Sequence, residues 1–269
     1  MIELLSYDFM QRALAAGGLI GVMLALIGVF AIHRGLSFMG AGIAHASFGG
    51  VAMGLWLGIN PVLAAIVFCL GVGWSIGALS LTTRTREDTV IGIFFASTMA
   101  LGILLLGLMG GYTPDLFGYM FGSILAVTPF DLWIITACAA VVAAALLVFG
   151  KELIFTIFDP EGAAVAGLPT RALYFLLVTL VTLSVVMSIK VVGIVLVSAL
   201  LVTPAAAASQ LCRSFGPILV AAAVIGLVST LSGLALSFWW DTASGATIVL
   251  VVTLIFGASA GWRALRSGA

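Results

Sequence analysis

His45 is the side chain best placed for chemistry inside the membrane, because it lies within a predicted membrane span of sequence GAGIAHASFGG. In lipid a neutral imidazole needs a hydrogen-bond partner, and imidazole is also a good ligand for first-row transition metals. Two interpretations therefore stay open: a structural hydrogen bond between helices, and contact with a passing ion. Ser47 lies nearby in sequence, and Ala41 shares the face of His45 one turn earlier.

The remaining polar residues exclude several classes of function. Every Asp and Glu maps to a loop or to the end of a predicted span, whereas carriers driven by protons or sodium usually use acids within the membrane. An enzyme would need a nucleophile with a positioned base, and no such set can be assembled. No GxxxxGK[ST] phosphate loop occurs either. If ATP drives this protein, another chain must bind the nucleotide.

The longest polar interruption of the apolar sequence is Lys151–Arg171, KELIFTIFDPEGAAVAGLPTR. Asp159 can cap a helix here, Pro160 suits the first helical position, and Glu161 favours the positive end of the helix dipole. Gly167 supplies a stop signal. These residues predict a helix of two turns, which would be marginal alone in water. We therefore expect flanking spans to hold it on one side and a partner protein on the other.

The elements around these residues are transmembrane helices. Of the 269 residues, 63% are hydrophobic and 7% are charged, and the formal net charge of zero gives no indication of nucleic-acid binding. A span needs about 20 mostly apolar residues. That rule predicts one all-α membrane domain over residues 1–269, with eight or nine spans at about 9–32, 38–58, 61–81, 90–109, 130–150, 172–189, 191–209, 216–238 and 245–262.

Two features refine the predicted bundle. Gly50, Gly54 and Gly58 are spaced by four, which lets helix backbones approach closely in lipid, so we expect the second and third spans to be central. Pro204 removes a backbone hydrogen bond within 191–209 and is expected to kink or break that segment. Such breaks persist in membranes only where they are buried in protein or line a cavity.

Basic residues predict the orientation of the chain. With nine spans, most Lys and Arg side chains fall on one side of the membrane, and the positive-inside rule makes that side cytoplasmic. The N-terminus is then outside and the C-terminus is in the cytoplasm of a bacterial inner membrane. The polar stretch Lys151–Arg171 is cytoplasmic on this interpretation.

Four blocks resemble the permease subunits of bacterial ABC importers for transition metals. They are, in order along the chain, RGLSFMGAGIAHASFGGVAMG, LFGYMFGSILAVTP, KVVGIVLVSALLVTPAAAA and WWDTASGATIVL. The resemblance spans nearly the whole chain and is strongest to the zinc-uptake branch. It implies a homodimer with two copies of a separate ATP-binding subunit and an extracytoplasmic metal-binding protein. The rival hypothesis is a secondary metal carrier or facilitator without an ATPase.

The resemblance also implies roles for individual residues. The segment DPEGAAVAG is similar to the coupling helix that docks into a groove of the ATPase, and its matching positions are Asp159, Pro160, Glu161, Ala163, Ala164 and Gly167. In the family's second span an Asp and a His one turn apart look like contacts for the metal. His45 matches that His as a transient metal contact.

The family's acids are missing from this chain. Ala41 stands at the position of the Asp that precedes the His, and Ser123 at that of an acid in a later block. Moving a bare divalent cation without carboxylates is costly. The pathway is therefore expected to use His45, hydroxyls such as Ser47 and Ser123, backbone carbonyls at breaks such as Pro204, or water; otherwise the metal travels chelated. Zinc is the expected cargo, followed by manganese or iron, with no tightly bound cofactor.

Overall fold

The protein is all-helical throughout the part that its computed structural model describes, namely residues 8–83, 85–109, 122 and 127–267. Ser123 and most of the Gly-rich segment preceding Pro129 lie outside the described residues. Within the described ranges the helices are α1 (Asp8–Arg34), α2 (Met39–Leu57), α3 (Pro61–Thr83), α4 (Glu87–Leu108), α5 (Pro129–Phe158), α6 (Pro160–Val165), α7 (Thr170–Leu211), α8 (Phe215–Trp240) and α9 (Ser244–Ser267).

Seven of these helices are long and apolar enough to cross a membrane, judged by length and composition: α1, α3, α4, α5, α7, α8 and α9. The 19-residue helix α2 is rich in glycine and carries His45, and it is largely buried inside the bundle. The protein is therefore a multi-pass membrane protein. Its helix α7 has 42 residues, which would extend about 63 Å if straight, twice the thickness of a bilayer core.

Helix α7 does not run straight, because the chain reverses at Gly193. Gly193 has φ 79° and ψ 166°, a conformation essentially restricted to glycine. Tyr174 and Leu201 lie on either side of this residue. Yet both contact the same end of α1, Tyr174 at Arg34 and Leu201 at Gly28. Helix α7 thus makes two passes, as the sequence predicted, and the reversal at Gly193 lies three residues beyond the predicted boundary at 190. The helix is not broken at Pro204.

Pro204 is instead accommodated within the second pass of α7, where the helix continues through it and the residue is buried. A proline costs a helix one backbone hydrogen bond and some strain, which packed neighbours can absorb. A residue with the dihedral angles of Gly193 interrupts the helix altogether. This difference explains why the glycine, and not the proline, marks the reversal.

Contacts between distant helices define two ends of the bundle. At one end the His33 ring packs against Phe158 and Phe215, with ring centroids 5.9 and 5.4 Å away. At the other end Arg12 Nε donates to Val127 O at 3.1 Å. Most described basic side chains cluster at the first end, which we call the basic end: His33, Arg34, Arg86, Lys151, Arg171, Arg213, Arg263 and Arg266.

The polar stretch Lys151–Arg171 is less of a loop than its composition predicted. Helix α5 runs unbroken to Phe158, so the first third of the stretch continues the fifth span. Lys151 and Glu152 are good helix formers, and a 30-residue helix is longer than a bilayer core requires. Glu152 consequently lies inside a helix, where its Oε2 atom is buried without a hydrogen-bond partner among the described residues.

Helix α2 is packed tightly between α3, α4 and α7. A Cβ atom added to Gly50 would lie 2.7 Å from Ala65 Cα of α3, and one added to Gly54 would lie 2.7 Å from Pro61 Cα. Gly58 differs, because open space surrounds it. Its φ of 68° makes it the left-handed cap that ends α2, so the expectation that it packs against a helix was wrong.

Candidate functional site

His45 lies on an accessible stripe along the first half of α2. Its imidazole is half-buried, and its ring packs against Phe95 of α4 in a tilted arrangement, with 4.4 Å between ring centroids. Phe38 and Ala41 precede it on the same face and are also accessible, whereas the residues between them are buried. The stripe is therefore the side of α2 at which a second molecule or an ion can reach this helix.

Hydrogen bonding leaves one nitrogen of His45 available. The Nδ1 atom lies 2.9 Å from the carbonyl oxygen of Ala41. A carbonyl can only accept, so Nδ1 carries the proton and Nε2 carries the lone pair in the neutral ring. Metal-binding histidines are commonly oriented in this way, with the other ring nitrogen donating to a backbone carbonyl. The arrangement thus presents Nε2 as a metal ligand.

One copy of the chain supplies an incomplete set of ligands at this position. Ala41 contributes a methyl group where the family pattern has a carboxylate. Among the described residues, no three His, Cys, Asp or Glu side chains cluster closely enough to hold a metal ion. Any coordination at His45 must draw its other ligands from water, backbone carbonyls or another copy.

The other two predicted pathway residues within the described ranges lie apart from this stripe. Ser47 is fully buried, and its Oγ donates to Ala44 O at 2.6 Å. Two positions along a helix correspond to a rotation of about 200°, so Ser47 faces away from His45. Pro204 is buried within α7. Neither position fits the expectation that these residues line the pathway with His45.

Helix α6 is the second candidate element, and its start has the predicted capping. The side chain of Asp159 accepts from Gly162 N at 2.8 Å, and Pro160 occupies the first helical position. A Cβ at position 162 would lie 2.1 Å from Asp159 Oδ2, so a side chain there would displace the carboxylate from its present position. The sequence prediction of a capped short helix is confirmed.

The end of α6 is equally well defined. Gly167 has φ 83°, its amide donates to Ala164 O at 3.0 Å, and the amide of Leu168 donates to Ala163 O at 3.0 Å. This pair of bonds is the Schellman arrangement, which stops a helix after a glycine in the left-handed conformation. Leu168 then packs against the main core. Helix α6 is thus held in place from its C-terminal side.

The two faces of α6 differ in their surroundings. Ala163 is fully buried against the bundle, while Glu161 and Ala164 are exposed. Val165 is 91% exposed and points away from the bundle. Val165 was not among the residues predicted from the sequence. Its position could have been inferred, because a residue two positions after Ala163 lies on the opposite face of the helix.

An ion pair holds the opposite end of the bundle. Lys190 Nζ bonds Asp131 Oδ1, connecting α7 to the start of α5 just before the reversal at Gly193. The Asp131 carboxylate is 6% exposed and also accepts from Thr128 N and Oγ1. Because 59 positions separate the two charges, the sequence offered no indication of this pair.

Comparison with known proteins decides the family. The model of the ABC 3 transport family matches residues 6–261, nearly the whole chain. The chain belongs to the ABC 3 transport family. It is the permease subunit of an ABC metal importer, a non-enzymatic membrane protein. This permease is 38% identical to the manganese transport system membrane protein MntC of Halalkalibacterium halodurans over 209 residues, covering 78% of this chain and 72% of that protein.

The fold of this ABC 3 permease also matches a solved structure, that of PsaBC from Streptococcus pneumoniae in complex with Fab. The TM-score is 0.85 at 34% identity, and the match covers 96% of this chain and 95% of the other. The zinc uptake protein ZnuB of Haemophilus influenzae is 32% identical over 208 residues, covering 77% of this chain and 80% of that protein. Because a manganese permease is more similar, the expected likeness to the zinc branch is not supported.

Proposed function

We propose that this permease imports a divalent transition-metal ion by alternating access, driven by ATP that is bound and hydrolysed on a separate subunit. The observation that carries the proposal is helix α6: it is short, capped at both ends, anchored through Ala163, and exposes Val165 at the basic end of the bundle. A rigid, slim, exposed helix of this kind is suited to docking in a groove of a partner protein. The absence of a phosphate loop from the chain supports a separate ATPase.

The orientation follows from the basic end. Lys and Arg are enriched in the cytoplasmic loops of membrane proteins, so we assign the basic end, with α6, to the cytoplasm. The N-terminus is then outside and the C-terminus inside, in the inner membrane of a bacterium. The opposite end, with the Asp131–Lys190 pair, faces an extracytoplasmic metal-binding protein that delivers the ion.

Two copies of the permease complete the pathway. A single copy offers one imidazole on the accessible stripe of α2, and a two-fold axis beside that stripe would bring a second His45 to the same pathway. Two imidazoles with water or carbonyl oxygens give a plausible transient site for a borderline metal ion. Two ATP-binding subunits, one on each α6, match this symmetry.

The identity of the metal depends on two opposing indications. Relatives are named for manganese and for zinc. A site with imidazole and no carboxylate at Ala41 favours zinc or iron over manganese, because hard manganese ions prefer carboxylate oxygens. We therefore propose zinc as the first cargo and iron or manganese after it, and chelation of the metal remains compatible with the missing acids.

The experiment that tests this function is a reconstitution. The permease, its ATP-binding subunit and its metal receptor are placed in liposomes, and ATP hydrolysis is measured with zinc, manganese and iron. We expect metal-loaded receptor to stimulate hydrolysis and uptake to require ATP. Glu161→Lys should uncouple hydrolysis from uptake while membrane insertion is retained. Uptake that proceeds equally well without the ATPase would instead establish the secondary carrier.

A second measurement tests the orientation. Cysteine labelling at position 161 should require a reagent that crosses the membrane, since α6 is assigned to the cytoplasm. Labelling of that position by an impermeant reagent from outside intact cells would invert the topology and remove the basis for ATPase docking.

A further inference from the structure

The last turn of α1 contacts both elements that flank α6. The His33 ring lies 5.9 Å from the ring of Phe158, the residue that immediately precedes the Asp159 cap. The Arg34 guanidinium carbon lies 5.2 Å from the ring centroid of Tyr174, which belongs to the first turns of α7 after α6. Two consecutive side chains of α1 therefore contact the chain on either side of the docking helix.

The contact on the His33 side is an aromatic cluster. Phe215, the first residue of α8, packs edge-on against Phe30 at 5.1 Å and against Phe158 at 5.9 Å between ring centroids. His33 Nδ1 lies 2.8 Å from Val29 O, which fixes the orientation of its ring. Such aromatic contacts pack at native density and transmit displacement rather than absorbing it.

The contact on the Arg34 side continues into α4. The hydroxyl of Tyr174 donates to Glu87 Oε1 at 3.1 Å, and Glu87 is the first residue of α4. Arg34 and Tyr174 also line a cavity of about 250 Å³ whose wall includes Pro160, the first residue of α6. A shift of the start of α6 towards the bundle would therefore narrow the cavity that Arg34 and Tyr174 line.

A first route leads from α1 to His45 through a stiff turn. Gly35 has φ 86°, its amide donates to Ile32 O at 3.0 Å, and the amide of the fully buried Leu36 donates to Ala31 O at 2.8 Å. This Schellman turn joins α1 to α2 within four residues. The start of α2 must therefore follow the end of α1.

A second route leads through α4 to the ring that touches His45. A Cβ on Gly42 of α2 would lie 2.6 Å from Ile91 Cγ2, and one on Gly49 would lie 2.6 Å from Thr98 O. Backbones packed this closely move as a unit. Helix α4 also carries Phe95, whose ring packs against His45. Helices α2 and α4, which both contact or carry His45, thus each begin at residues that are connected to Arg34 or Tyr174.

We propose that His33, Arg34 and Tyr174 are positioning residues that transmit the displacement of α6 to His45. The inference rests on the proposed docking of an ATPase on α6 and adds the route by which that docking reaches the cargo. None of the three touches the metal. Their role is to convert a movement of the docking helix into a joint movement of α2 and α4, so that His45 changes its access when ATP binds.

The test compares two substitutions that each remove one interhelical hydrogen bond from α7. Tyr174→Phe removes the bond to Glu87 and keeps the ring below Arg34. The matched control is Thr179→Val, which removes the bond from Trp74 Nε1 to Thr179 Oγ1, at 3.0 Å, away from the route. Metal uptake per ATP hydrolysed is measured in liposomes containing the complete importer.

We expect Tyr174→Phe and Arg34→Ala to lower uptake per ATP by about fivefold or more, the smallest effect typical of coupling between sites. Assembly and basal hydrolysis should stay unchanged. Thr179→Val should leave the ratio as in the wild type, and so should Arg263→Ala, whose bond to Gln210 lies at the same end but outside the route. Equal ratios in Tyr174→Phe and Thr179→Val would overturn the proposal.

A further variant separates this failure from failure of the proposed function. Val165→Asp alters the docking face alone. If it blocks assembly with the ATPase while Arg34→Ala and Tyr174→Phe stay fully coupled, α6 is the docking helix, but Arg34 and Tyr174 do not transmit its displacement. If Val165→Asp assembles and transports normally, α6 is not the docking helix, and the proposed transmission from α6 to His45 is refuted as well.

Discussion

Helix α6 at the basic end and the proposed metal contact at His45 differ in how many of their parts a single chain supplies. Helix α6 has its cap at Asp159, its glycine stop at Gly167 and its buried anchor at Ala163, all within a few residues of sequence. At His45 the chain supplies one oriented imidazole, with Ala41 where an acid is expected from the family. The proposed docking helix is complete in one copy, whereas the proposed metal contact at His45 would require groups from elsewhere.

This difference shows which kind of site an importer subunit can encode alone. A docking helix must keep one shape throughout the cycle, so short-range capping suffices to build it. A transport site must bind and then release its ion, so weak or incomplete coordination suits it. Incomplete coordination at His45 fits a pathway shared between two copies.

The largest effect should come from charging the docking face. Val165→Asp would place an unpaired carboxylate in an apolar interface, a change that costs several kcal/mol. We expect binding of the ATP-binding subunit to fall at least about a hundredfold, measured by co-purification and titration. Leu265→Asp is the matched control, since Leu265 is 75% exposed at the same end but lies on α9. An equal loss of ATPase binding in Val165→Asp and Leu265→Asp would show that α6 is not the docking helix.

Removing the imidazole of His45 tests the proposed metal contact. Loss of a group that merely supports a metal ligand typically costs about 10–100-fold in affinity or activity, so His45→Ala should lower uptake at least about tenfold. Assembly and basal ATP hydrolysis should be retained. The measurement is initial uptake rate in liposomes at several metal concentrations. An unaffected rate would leave His45 as a structural residue hydrogen-bonded to Ala41.

Adding the missing acid should alter selectivity more than rate. Ala41→Asp puts a carboxylate one turn before His45, and hard oxygen donors favour manganese. We expect the ratio of manganese to zinc uptake to rise about tenfold, which corresponds to about 1.4 kcal/mol of differential binding. Ala41→Asn supplies oxygen without charge and is the control. An unchanged ratio would mean that this stripe of α2 does not contact the ion.

The last prediction concerns stability and not transport, namely the packing that holds α2. Gly54→Ala forces a Cβ to within 2.7 Å of the Pro61 backbone, so we expect a loss of stability of about 1–3 kcal/mol. Gly71→Ala has open space and should be neutral or stabilise by up to about 1 kcal/mol. Thermal unfolding of the purified protein in detergent compares the two. Equal melting temperatures would contradict the close packing of α2 on α3.

The same contrast explains what the sequence could predict. The ends of α6 follow from residues adjacent to them, and the two passes of α7 follow from hydropathy. Hydropathy placed the boundary between the two passes at 190, three residues before the reversal, but it could not single out Gly193. The chain has 32 glycines, and only tertiary packing selects the one that adopts φ 79°. The charges of Lys151 and Glu152 indicated a loop, although both residues belong to helix α5, which is longer than the bilayer core is thick.

Contacts between distant residues were beyond the sequence altogether. Tyr174 and Glu87 are 87 positions apart, and no local pattern pairs them. The exclusion of Ser47 from the stripe of His45 could have been foreseen from the helical rotation alone. The roles of Gly50 and Gly58, one in packing and the other as a cap, became distinct only once the end of α2 was located.

ATP-dependent metal uptake by the complete importer in liposomes tests the central claim most directly. With ATP on the side of the basic end and metal-loaded receptor on the other, we expect uptake that requires ATP, is lost in Val165→Asp and is strongly lowered in His45→Ala. Uptake at the same rate without ATP, or with both variants fully active, would contradict it.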